Sequence, residues 1–102
     1  MSKSIKLLEQ ISQECSSQTT IYKFSKSLDV SDRYKQGRIE ASKWLNDLTY
    51  YYFKEEKNFI KEYTQQLIIQ KEKLLALSDS DYKKGLLEQL NQIEQMINDS
   101  TN

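Results

Sequence analysis

The sequence predicts an all-α protein built around an antiparallel helical hairpin, and three observations predict it. The chain has no proline and only two glycines in 102 residues, so few positions forbid a helix. Its C-terminal part carries two apolar lines at helical spacing: Tyr63, Leu67, Gln70, Leu74 and Leu77, then Tyr82, Leu86, Leu90, Ile93 and Ile97. Read antiparallel, the positions in the pairs 74/86, 70/90, 67/93 and 63/97 each sum to 160, and those of 77/82 to 159. Two helices folded back on each other require such a constant sum, because equal rise per residue keeps opposed layers in step.

The first element is an amphipathic helix over about 3–15, with Ile5, Leu8 and Cys15 on one side and Leu7 and Ile11 adjoining. Residues 16–31 change character. Two serines, two threonines and a glutamine occupy 16–20, and Ser25, Ser27 and Ser31 follow; the hydroxyls among them compete with helical backbone bonding. The expectation is an ordered, irregular connector, with at most a helical turn around 21–27, folded onto the next helix. Asp29 and Ser31 are both suited to cap that helix.

The second element is a long helix over about 32–77. As one rod it would measure about 69 Å. The expected place for a break or bend is 54–58, where charge interrupts the apolar stripe. The run from Leu77 to Tyr82 makes the turn: with Ser78 as N-cap, Asp81 falls at N3 and Leu77 and Tyr82 take the hydrophobic-staple positions. Gly85 faces Leu75 in this register. The last helix runs over about 79–97, with 98–102 as a polar tail. All of this fits a single helical domain over 1–102.

Composition narrows the function. Fifteen basic and fifteen acidic residues cancel, which disfavours a dedicated polyanion binder. Residues 1–46 carry eight Lys/Arg against five Asp/Glu, and 47–102 seven against ten, too small a split to nominate a ligand. No apolar run exceeds four residues, as at Tyr50 to Phe53, far short of a membrane span. The N-terminus lacks the apolar core of a secretory signal. With a single cysteine, a cytoplasmic protein with a reduced thiol is expected. There is no histidine, no companion for Cys15 and no glycine-rich phosphate loop, so neither catalysis nor a cofactor or metal is expected.

The remaining candidates are surfaces. Trp44, Leu48, Ala41, Phe59, Tyr52, Leu45 and Tyr63 share one arc of the long helix and read as core beneath the first helix and the connector; Tyr50 points away from it. Ile68 and Leu75, with Ile60 toward the same side, lie off the hairpin seam. They are covered by the first helix, by a second copy in a homodimer, or by another protein. Gly37 and Ala41 form a small pair that would let the connector pack closely.

The functional expectation is a non-enzymatic protein–protein interaction module of the adaptor, chaperone-like or regulatory kind. Its candidate contacts are Tyr50, Tyr51, Phe53, Ile60, Ile68 and Leu75, and its partner is another protein or itself. One alternative is a nucleic-acid-associated protein using Lys23, Lys26, Arg33, Lys35, Arg38 and Lys43 among aromatics, although acidic residues dilute that group. Another is a purely structural homo-oligomer.

Overall fold

A computed structural model describes residues 3–54 and 60–101. Among them are four helices and no strand: α1 (Lys3–Phe24), α2 (Asp32–Phe53), α3 (Ile60–Leu75) and α4 (Asp81–Thr101). The all-α class and the antiparallel α3–α4 hairpin are as the sequence predicts. Three of the boundaries are not.

The first correction concerns the long helix. Tyr34 and Arg38 of α2 reach Glu88 and Gln92 of α4, so both helices advance together and run parallel. On α3, by contrast, Lys71 meets Glu94 and the carbonyls of Leu75 and Leu77 meet Lys83, so α3 runs against α4. The chain has therefore turned back between Phe53 and Ile60. A continuous rod of about 69 Å does not fit a fold whose longest extent is 40 Å. Reversal lets both halves put their apolar stripes on α4. The charged run Glu55, Glu56 and Lys57 and the arc residue Phe59 lie outside the described residues.

The second correction extends α1 to Phe24, through the segment expected to be irregular. The hydroxyls of Thr19 and Thr20 donate to the carbonyls of Cys15 and Ser16, one turn back, at 2.8 and 3.0 Å. The groups that compete with the helix are thereby spent inside it, and Gln18 and Tyr22 are held by α2. The connector shrinks to 25–31. Ser31 caps α2 as expected, its hydroxyl accepting from the Tyr34 N–H at 3.1 Å.

The third correction shifts the hairpin turn. The N-cap of α4 is Ser80, not Ser78: its hydroxyl accepts from the Lys83 N–H at 3.1 Å. The staple is replaced by Lys83 itself, whose ammonium donates to the Leu77 and Leu75 carbonyls at 2.9 and 3.2 Å and to Asp79 at 3.0 Å. The Leu75 carbonyl is at the negative dipole end of α3, where a cation is favoured, and the Leu77 carbonyl follows it in the turn. Lys83→Met keeps the buried stem and removes those bonds. A loss of about 1–3 kcal/mol is expected in denaturant titration. At its other end α4 continues through the expected tail to Thr101, and Gln95 bonds Asp99 one turn on at 2.8 Å.

The core draws on all four helices: Leu7, Leu8, Ile11 and Cys15 of α1, Leu45 and Tyr52 of α2, Tyr63 and Leu67 of α3, and Leu90, Ile93 and Ile97 of α4. Each fully buried aliphatic side chain contributes about 1.5–3 kcal/mol. The buried Tyr63 hydroxyl pairs with Thr49 across α2 and α3 at 2.8 Å. Cys15 has no exposed surface, and burial, with Glu14 adding to it, pushes its thiol up to about 12. The neutral thiol is thus favoured by folding. Its contribution is complete below the usual value of 9.0 and is lost as pH rises toward 12. Ellman's reagent at about pH 8 should leave the native thiol untouched and titrate it only on unfolding.

The two glycines meet. Gly37 of α2 and Gly85 of α4 lie where those helices cross, each against the other's backbone: a Cβ on Gly37 would strike the Tyr82 carbonyl and one on Gly85 the Tyr34 carbonyl. Gly85 therefore opposes Gly37 rather than Leu75, and the small pair Gly37/Ala41 packs on α4 rather than under the connector.

Candidate interaction surfaces

Around the crossing, α1, α2 and α4 are tied by a polar chain. Arg38, only 8% exposed, donates to Gln92 at 2.6 Å, Gln18 at 3.2 Å and the Tyr34 hydroxyl at 3.3 Å, and its guanidinium lies 5.0 Å from the Tyr22 ring. Gln92 passes the chain to Glu14 at 2.6 Å, and Tyr34 passes it to Glu88 at 3.2 Å. Burial pushes the Tyr34 hydroxyl up, Arg38 opposing and Glu88 adding. This network ties three helices together and engages both terminal nitrogens of Arg38, leaving its buried Nε without a hydrogen-bond partner. Of the six basic candidates, Lys23, Lys26, Arg33 and Lys43 are exposed, Lys35 is half-buried and Arg38 is interior. Arg33 stacks on Tyr82 at 5.5 Å.

The six candidate contacts divide into two surfaces. Tyr50 (65% exposed) and Phe53 flank a shallow cleft with Ser12, Asn46 and Asp47, on the α1 side of α2. Lys54 sits 5.0 Å above the Tyr50 ring, and Tyr51, also exposed, stacks edge-on against buried Tyr52. Ile68 (45%) and Leu75 (60%) stand on the outer face of α3. Ile60 does not join them in full: it is half-buried and packs against the core.

α1 packs along α2, so the outer α3 face is not covered by the first helix. It is also broader than the sequence reading gave, since Ile69 and Leu77 are exposed beside Ile68 and Leu75. Their signal was present in the sequence as apolar positions off the seam. Leu77, a seam position by its spacing, is 45% exposed at the turn.

A third surface, which apolar spacing does not show, lies beside the turn. The pairs Tyr63/Ile97 and Leu67/Ile93 are closed and buried, whereas Gln70, Leu74 and Leu77 draw away from α2. A groove of about 250 Å³ runs between α2 and α3, with Leu86 and Leu90 of α4 as its floor. Ala41 and Trp44 form one wall and Leu74 and Leu77 the other. The expected arc is core at Ala41, Leu45, Tyr52 and Tyr63, but Trp44 is only half-buried because it borders this groove.

No family model, curated protein or solved structure matches the chain. Function rests on the surfaces alone. No helix is long and apolar enough to cross a membrane, and no cluster of three potential metal ligands occurs among the described residues.

Proposed function

We propose that the protein is a non-enzymatic interaction module, an adaptor, chaperone-like factor or regulator that binds another protein through α3. The observation that carries this reading is the two-faced character of α3. One face, Tyr63 and Leu67, is buried; the other presents Ile68, Ile69 and Leu75 to solvent, with Leu77 just beyond its end. A surface helix of a monomer needs one apolar stripe, and large apolar side chains exposed on its other side are candidates for a contact surface.

The test is light scattering on a sizing column across a concentration series, with capture of binding proteins by the immobilised chain, for wild type and for Ile68→Asp with Leu75→Asp. Association lost in the double variant supports the reading, and a stable dimer would make the partner a second copy.

A further inference from the structure

The chain's charge cancels overall, but it does not cancel everywhere. Where α1 ends and α2 begins, a cleft of about 310 Å³ is bordered by Lys23 of α1, Lys26 of the connector and Lys35 of α2. Its one carboxylate is Asp32, the first residue of α2, where the helix dipole favours an acid. None of the three lysines forms an ion pair among the described residues. Ser25 and Gln36 add neutral hydrogen-bond donors to the lining. Three ammonium groups against one acid select an anion. Half of the six basic candidates thus gather at one place, while Arg38 is interior and Arg33 stacks on Tyr82.

An aromatic ring stands beside them. Phe24 is 69% exposed, more than any other large apolar side chain among the described residues, and the Lys23 ammonium lies 5.6 Å from its ring centroid. Lys23 therefore belongs to the cleft and to the ring at once. Tyr22 also borders the cleft, but its ring already holds Arg38 at 5.0 Å and meets Tyr34 edge-on. An exposed ring beside a cluster of cations fits a phosphate chain whose bases are free to stack. Paired bases offer no such face, so a duplex does not meet the requirement.

We propose that this corner binds single-stranded nucleic acid, with backbone phosphates held by Lys23, Lys26 and Lys35 and one base stacked on Phe24. The site is separate from the outer face of α3 and does not rest on the interaction-module reading.

The test is fluorescence anisotropy of a labelled oligothymidylate of about 15 nucleotides with the full chain at about 50 mM salt. Saturable binding is expected, weakening with salt at a log–log slope of about −2, the value for three phosphate contacts on a single strand. Lys26→Glu with Lys35→Glu should weaken binding by about tenfold or more. Phe24→Ala should weaken it by about tenfold, near the worth of one stacked base. An abasic oligomer of the same length should bind more weakly and be indifferent to Phe24→Ala, which isolates stacking from charge. Circular dichroism of the same variants should show unchanged helical content, since Phe24 and Lys26 are exposed and Lys35 is half-buried. No binding at low salt, binding indifferent to the charge reversal, or a duplex bound as tightly as the single strand would overturn the proposal. So would binding to phosphatidylserine vesicles without binding to the oligomer, which would assign the corner to a membrane surface. Ile68→Asp with Leu75→Asp should leave oligomer binding intact, so the two surfaces hold or fail independently.

Discussion

Gly37→Ala and Gly85→Ala should each destabilise the fold by about 3 kcal/mol or more, lowering the melting temperature by roughly 12–24 °C in a domain of this size. The sign is the informative part. Glycine-to-alanine inside an exposed helix normally stabilises by about 0.5–1 kcal/mol, and neither glycine has positive φ. Here the added methyl meets backbone. On Gly37 it strikes the Tyr82 carbonyl and comes within 2.9 Å of the Leu86 nitrogen; on Gly85 it strikes the Tyr34 carbonyl and lies 3.0 Å from the Arg38 nitrogen. No side chain can swing aside, so α2 and α4 must separate. That strains the Arg38 chain, whose bonds span the same interface. The two substitutions act on one contact, so their costs should not add. Stabilisation by either alanine would refute the close α2–α4 crossing.

The paired substitution Ile68→Asp with Leu75→Asp should abolish association and leave the melting temperature nearly unchanged. Both side chains are about half exposed or more and neither belongs to the core cluster, so the folded chain gives up little when they become charged. At an interface the same carboxylates would be desolvated without partners, a cost of several kcal/mol each. Effects on binding and on stability therefore diverge. Leu67→Asp, at a fully buried position one residue from Ile68, should instead unfold the protein.

Much of this fold was legible because helix seams are written in apolar spacing. The α3–α4 hairpin and the solvent exposure of Tyr50 follow from it, and the Ser31 cap follows from a hydroxyl placed just before the helix. The chain reversal between Phe53 and Ile60 did not, because periodicity records which face is apolar and not which way the chain runs. The extension of α1 through 16–24 was hidden by side chains that compete with a helix locally and are overruled by α2. The contact between Gly37 and Gly85 has no apolar signature, since its material is bare backbone. Outer-face residues such as Ile68 and Leu75 could be named as off-seam positions. The groove could not, because it arises from the splay of α3 away from α2.

The most direct test of the central claim, that the outer face of α3 is an interface and not core, is thermal unfolding by circular dichroism of the Ile68→Asp/Leu75→Asp protein beside wild type, with association measured on the same samples. Helical content and melting temperature preserved to within about 1 kcal/mol of stability, with association gone, is the predicted result. Collapse of the helical signal would contradict it and assign Ile68 and Leu75 to the interior.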